Sequence, residues 1–230
     1  MSVSVDTVYQ RVLGILNKEQ RGYLPPLEFI LFANQVQEGI FEQYFYDINQ
    51  LERVPGNSTE YSDMLKILYE KISFFEVEDT LNFSDPYYDV PADLYRLGTL
   101  FYLGHEVEHL KKNEILRIQS SPIARPSDRR PVYTRDNGGI LVYGDTLFTV
   151  ANVVSATYTK KPAKVVWGYT SVLGDPQYNA SASTDFELHI SEEPDLVVKI
   201  LALAGLEIKD LSVYQVASGE DKKNAVDKKS

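Results

Sequence analysis

The sequence contains no cysteine. Disulfides, thiol nucleophiles and cysteine-based metal centres are therefore excluded, and the redox compartment stays unread. It has only three histidines, so any histidine-rich metal site must draw on His105, His109 and His189. It has no long hydrophobic run. The longest, near Leu196–Leu206, is interrupted by Lys199 and falls well short of the ~20 apolar residues that span a bilayer. Positive charge is scarce: 23 Lys and Arg stand against 33 Asp and Glu, for a net charge of −10 and a pI of about 4.8. That balance argues against a surface that grips nucleic-acid phosphates. It does not argue against a protein that surrounds DNA without holding it. The start, Met-Ser-Val-Ser-Val-Asp, lacks the basic and apolar regions of a signal peptide, so the expectation is a soluble, unsecreted protein. Neither a Gly-x-Ser-x-Gly nucleophile elbow nor a phosphate loop occurs. Gly138-Gly139 is not followed by the Lys-Ser/Thr that such a loop needs.

What the chain does have is aromatic residues, with sixteen Tyr and ten Phe. That load suits large packed interfaces and β-rich cores equally. At 230 residues, 43% of them hydrophobic, the chain can build one large domain or two small ones.

The clearest element is near the end, in Asp185–Gly205. Ser191 is placed to cap a helix. Glu192 and Glu193 put negative charge in its first turn, and Pro194 is tolerated there. Leu196, Val197, Ile200, Leu201 and Ala204 form an apolar face, and Gly205 is placed to end the helix. A helix this short is marginal alone, so it must dock on something already built. The partner is at the other end of the chain. Val5, Val8, Val12, Ile15 and Leu16 give a first helix ending near Asn17. Pro25-Pro26 opens a second of roughly 26 residues, with apolar positions from Phe29 to Leu51 at a period near 3.6. Pro55-Gly56-Asn57 marks a turn, and Ser58 or Thr59 caps a third helix through Ile72.

The character changes after Phe75. Asp85–Pro91 is extended and turn-rich. Leu94–Leu103 and His105–Leu110 flank Gly104 as a hairpin. Pro131–Arg135 and Ile140–Tyr143 flank Asp136-Asn137-Gly138-Gly139 as a second, stronger one. Leu147–Tyr158 and Lys164–Tyr169 read as strands, and Asn113–Gln119 as a helical turn. Asp210 can cap a short helix through Val216. The tail from Ser218 is charged, has little apolar content, and reads as disordered. The fold class is thus α+β: an N-terminal helical bundle, a β-rich sandwich or barrel-like insertion, and a C-terminal helix packing back on the bundle. The expected divisions are 1–80 for the helical base, completed by 191–217; 81–190 for the β-rich domain; and 218–230 for a flexible tail.

Two constellations carry potential chemistry. His105-Glu106-Val107-Glu108-His109 matches H-E-x-x-H, which on a helix binds zinc through two His one turn apart with the Glu as general base. Here the segment follows a turn and reads as a strand. The extended motif also fails at Lys112 and Ile115, which stand where Gly and His are needed. No downstream Glu ligand lies between Glu114 and Glu187, although an Asp such as Asp128 stays open as a third ligand. A zinc-dependent hydrolase is therefore a remote alternative. No catalytic, cofactor-binding or metal residue is assigned. The second constellation is the one dense basic patch, Arg125, Arg129, Arg130 and Arg135. It reads either as a solvated loop or as a docking surface for an acidic neighbour or a phosphate backbone.

Several segments together carry a resemblance. They are Asp89–Leu97 (DVPADLYRL), Asn113–Gly144 (NEILRIQSSPIARPSDRRPVYTRDNGGILVYG), Ser155–Tyr169 and Ser181–Asp210. The sequence resembles virion structural proteins of tailed phages, in particular the ring or head–tail adaptor proteins of crAss-like phages and their short-tailed relatives. The block Asp185–Gly205 is the most specific part. The resemblance implies a homo-oligomeric ring of about twelve subunits stacked under the portal vertex, extending the DNA channel and joining capsid to tail. It implies a helical bundle carrying a β-domain, with a helix after the strands. The implied partners are other copies of the chain, the portal, neighbouring ring or tail proteins and passing double-stranded DNA, with no membrane. The implied location is the virion, and the host cytoplasm during assembly. It implies no enzyme, cofactor or catalytic residue. A stopper, tail-tube or minor capsid protein is the nearest alternative.

Overall fold

A computed structural model describes residues 2–18, 23–53, 59–145, 153–172, 174–207, 219–220 and 222–223. The chain divides into two compact units: residues 1–74 with 162–230, and residues 75–161. The first unit is mainly helical and the second is β-rich, inserted between its halves. The mixed helical and β architecture expected from the sequence is present. The division points are not those expected. They fall at 74/75 and 161/162, so residues 162–190 belong to the helical unit rather than to the β-rich one.

In the helical unit, α1 (Val5–Lys18), α2 (Pro26–Arg53), α3 (Thr59–Ser73) and α5 (Glu193–Glu207) are the main elements. Helix α5 packs on α1 and α2, and α3 packs on α2. The apolar period of α2 places Phe29, Ala33, Val36, Ile40, Phe41 and Tyr44 in the core, as an amphipathic stripe should. The stripe of α1 is narrower than its sequence suggests, because Ile15 is 46% exposed. Helix α5 contributes Leu196, Ile200 and Ala204, all fully buried.

The polar residues of α2 are as telling as the apolar ones. Asn34 accepts from Val165 N–H at 2.9 Å and donates to the Val165 carbonyl at 3.0 Å. Buried Gln37 donates to the Ala163 carbonyl at 2.8 Å and accepts from Glu187 N–H at 3.0 Å. The Asn34 amide thus supplies, at Val165, the hydrogen bonds that a neighbouring strand would otherwise give, while Gln37 joins Ala163, just before that segment, to Glu187. This is why Lys164–Tyr169 is not the strand its composition predicts. It holds a single bridge, Val166 to Thr184, and a strand begins only at Tyr169.

Strands β9 (Tyr169–Val172) and β10 (Asp175–Tyr178) form a hairpin that the sequence reading missed. Its base stacks on Trp167, whose ring lies 5.8 Å from Tyr169 and 5.7 Å from Tyr178. Trp167 in turn packs at 4.6 Å on Tyr9 and donates Nε1–H to Asp6 at 3.0 Å.

The start of α5 also differs from expectation. Ser191 is not its cap. A short 3-10 turn, Ile190–Glu192, precedes the helix, and the His189 ring accepts from Ser191 N–H at 3.3 Å. At the other end Gly205 lies inside the helix, which runs to Glu207. The helix expected from Asp210 and nearly all of the charged tail lie outside the described residues, as do Ser58 and Leu147–Asn152 of two other expected elements.

In the β-rich unit, eight strands form one sheet in the order β1-β8-β4-β5-β6-β7-β3-β2. They are β1 (Glu76–Thr80), β2 (Phe83–Ser84), β3 (Tyr87–Tyr88), β4 (Leu94–Tyr102), β5 (His105–His109), β6 (Val132–Asp136), β7 (Gly139–Tyr143) and β8 (Val154–Lys160). Both expected hairpins are present. Leu103 and Gly104, at φ 47° and 82°, turn β4 into β5. Asn137 and Gly138 turn β6 into β7. Gly139 is required by its surroundings: it sits at φ 136°, and a Cβ there would lie 2.6 Å from the Tyr88 carbonyl oxygen. Among the described strands of this sheet, every pair is antiparallel except β5 with β6. That parallel pair needs a crossover, supplied by helix α4 (Lys112–Gln119). Glu114 accepts from Lys111 N–H at 3.1 Å, and Ile115 is buried. The core of this unit gathers Leu81, Tyr88, Leu100, Val107, Ile140 and Val154.

Candidate functional site

The parallel joining of β5 to β6 brings together the two constellations singled out from the sequence. Glu108 N–H donates to the Pro131 carbonyl at 3.1 Å, and Leu110 N–H donates to the Tyr133 carbonyl at 2.9 Å. The result is an open groove of about 460 Å³. Glu106, Glu108 and His109 of β5, Arg129 and Arg130 of the preceding turn, and Tyr133 of β6 contribute to its walls.

H-E-x-x-H lies on β5, as the turn at Gly104 predicts. Four residues along a strand separate the two His backbones by ~13 Å, at ~3.3 Å per residue. Zinc binding by this motif needs them one helical turn apart. Val107 is the buried residue of the five, and it anchors the strand in the core. The His109 ring packs against the Tyr133 ring at 5.0 Å, tilted by 53°. The third candidate ligand, Asp128, is engaged elsewhere: its carboxylate accepts from Asp145 N–H at 3.1 Å. Among the described residues, no three His, Asp or Glu side chains gather closely enough to hold a metal ion.

The arginines are presented by a hydrogen-bonded turn. Ser127 and Arg130 exchange backbone hydrogen bonds of 3.3 and 2.9 Å, which places Asp128 and Arg129 at the tip. Pro126 and Pro131 on either side are buried. Arg125 donates to the Asp145 carbonyl at 3.4 Å, clipping the loop to the end of the β7 segment. Arg125, Arg129 and Arg130 are all exposed, and none forms an ion pair among the described residues. Arg135 stands apart, exposed on β6. Burial pushes the Tyr133 hydroxyl above its ordinary range, partly offset by the Arg135 charge. Beyond the tyrosine, Asp136 is held below the usual carboxylate range, chiefly by Gly138 N–H, with help from Lys112 at 3.4 Å. That pair ties α4 to the β6–β7 turn.

The groove is open, with two carboxylates and two guanidinium groups along it. This chemistry suits docking of a charged surface. The Tyr133 contribution and the pairing of β5 with β6 escaped the sequence reading, because the two strands are joined by a crossover rather than by a recognisable turn.

The block Asp185–Gly205 performs a different task. Asp185 accepts from Val5 N–H at 2.9 Å, and Phe186 bridges Val3. Glu187 accepts from Ala163 N–H at 2.9 Å. Glu193 pairs with Arg11 at 2.8 Å. Glu192, with a side chain only 2% exposed, pairs with Lys71 of α3. The block is a clasp that binds the return segment and three helices to one another. Compared with known proteins, the chain matches no family model and no curated sequence. Among the described residues, no helix is long and apolar enough to cross a membrane.

Proposed function

We propose that the protein is a structural subunit of a tailed-phage virion. In this reading it forms a homo-oligomeric ring in the head–tail connector, extends the DNA channel below the portal and joins capsid to tail. The observation that carries the reading is the use made of its most specific sequence block. The acidic side chains Asp185, Glu187, Glu192 and Glu193 are all engaged in holding the helical unit together. Such internal ties keep the unit in one shape, as a subunit repeated around a ring needs.

Two further features support assembly. Leu27 and Leu31, one turn apart on α2, are each more than half exposed, and so is Tyr23 just before the helix. Such exposed apolar side chains suit a surface that meets a neighbour. The β9–β10 hairpin is exposed along nearly its whole length, with Tyr169, Val172 and Tyr178 at its surface. A lone hairpin of this size is marginal in water and gains from contact with another subunit. The exposed flank of α2 carries Glu38, Glu42 and Glu52, which suits a face that lets DNA slide past. Each phosphate contact would add salt-sensitive affinity and friction.

The test is the assembly state of the full chain, by light scattering and electron microscopy, alone and mixed with candidate portal proteins. Rings that stack on a portal support the connector reading. Assembly only with tail-tube or capsid proteins would move the protein to one of those positions instead.

A further inference from the structure

We propose that the basic turn Arg125–Arg130 of one copy docks on the acidic outer strand β1 of the next copy. The proposal rests on the ring reading and names the contact that closes the ring. Both patches lie on the β-rich unit, at different places. The turn feeds β6, inside the sheet, whereas β1 is an end strand, paired only with β8 among the described residues. A contact between two different patches of identical chains is heterologous, and it generates a ring when the rotation closes.

The charges are complementary. The turn offers Arg125, Arg129 and Arg130, all exposed, while its one carboxylate, Asp128, is occupied by Asp145 N–H. Strand β1 offers Glu76 and Glu78, exposed on one face of the strand, and Asp79, exposed on the other with its carboxylate accepting from Thr80 N–H at 2.7 Å. None of the three is in an ion pair among the described residues. Among the described residues no other strand pairs with its outer side, and its acidic residues deter pairing with another acidic edge. A cationic turn is the partner that this edge admits. Glu106 and Glu108 share the groove with Arg129 and Arg130. They disfavour a continuous polyanion such as a nucleic acid, and leave the arginine tips for carboxylates presented along an edge. Such a contact sets register and association rate more than final affinity. The apolar surfaces of the helical unit supply the remainder.

The experiment uses three full-length variants. The first reverses the turn (Arg125→Glu, Arg129→Glu, Arg130→Glu). The second reverses the edge (Glu76→Lys, Glu78→Lys, Asp79→Lys). The third carries both sets. Circular dichroism confirms that each folds, and lysine is well tolerated on edge strands. Ring formation is counted by electron microscopy under the conditions that assemble the wild-type chain. The turn and edge variants alone should each lose at least about tenfold in assembled fraction. An equimolar mixture of the two should recover assembly, because alternate copies then carry opposite charges at every contact. The third variant should recover it as well.

A turn variant that assembles like wild type overturns the contact. So does failure of both the mixture and the third variant to recover rings. A turn variant that assembles normally but loses retention on double-stranded DNA overturns it in favour of phosphate binding. A wild-type chain that never assembles overturns the ring reading and this contact together, whereas assembling wild type with indifferent variants overturns this contact alone.

Discussion

Val5 N–H donates to the Asp185 carboxylate at 2.9 Å, across 180 positions of sequence. The first turn of the first helix is completed by a residue that the chain reaches only after building the whole β-rich unit. Ser4 adds a second, weaker cap through Thr7 N–H at 3.4 Å. The helical unit therefore cannot be finished until residues 162–207 return.

Removal of this distant cap should be felt in stability. Asp185→Ala leaves the N–H of a buried residue without its acceptor, and should lower stability by about 1–2 kcal/mol. Asp185→Asn keeps an acceptor oxygen and should lie within about 0.5 kcal/mol of wild type. Urea unfolding followed by helical circular dichroism reads the difference. Equal losses in both variants would mean that the negative charge, and not the cap, carries the effect.

The Lys71–Glu192 pair joins α3 to the turn before α5, with side chains 14% and 2% exposed. Glu192→Ala strands a largely buried ammonium group and should cost about 3–5 kcal/mol. Joint replacement by Lys71→Met and Glu192→Leu should cost much less than the sum of the single changes, because no uncompensated charge remains. A double-mutant cycle measures that coupling. Additive losses would show that the pair does not act as a unit.

Alkaline pH should destabilise the protein through its buried tyrosines. Burial pushes Tyr44 well above the ordinary value of 10.0, reinforced by the Glu192 charge. Burial likewise raises Tyr9, with Tyr23 contributing. Unfolded tyrosines release their protons near 10, whereas the folded ones retain them. The unfolded state therefore binds fewer protons above that pH, and stability falls as pH rises. The contribution is full below pH 10 and is lost progressively above it. Tyr44→Phe should flatten this fall, as read from unfolding midpoints between about pH 9 and 11. A slope unchanged by the substitution would remove Tyr44 as a cause.

The strand placement of His105 and His109 gives a further expectation. Joint replacement by alanine should change stability by less than about 0.5 kcal/mol, and a chelator should leave the thermal midpoint of the wild-type chain in place. Stoichiometric zinc in the purified protein, lost in the double variant, would overturn the strand reading of this motif.

Much of this architecture can be read from local pattern. A period near 3.6 is enough to locate α1, α2 and α3, and turn glycines at 104 and 138–139 locate two hairpins. Where the pattern misleads, a distant partner decides. Ser191 has the chemistry of a cap, yet Lys71 and Arg11 draw Glu192 and Glu193 into ion pairs and His189 takes the capping role. Lys164–Tyr169 has strand composition, but the Asn34 amide takes both backbone groups of Val165 from a helix over a hundred positions away. The β9–β10 hairpin lacks apolar alternation because neither of its faces is deeply buried. The groove depends on parallel pairing across α4, which no local motif encodes. The arginines and H-E-x-x-H were each visible in the sequence, but their meeting was not.

Electron microscopy of the full chain mixed with candidate portal proteins tests the central proposal most directly. Closed rings of about twelve copies, seated coaxially on one of these portals, are the result the proposal expects. A chain that stays monomeric with every portal offered, at concentrations well above those found during assembly, would contradict it.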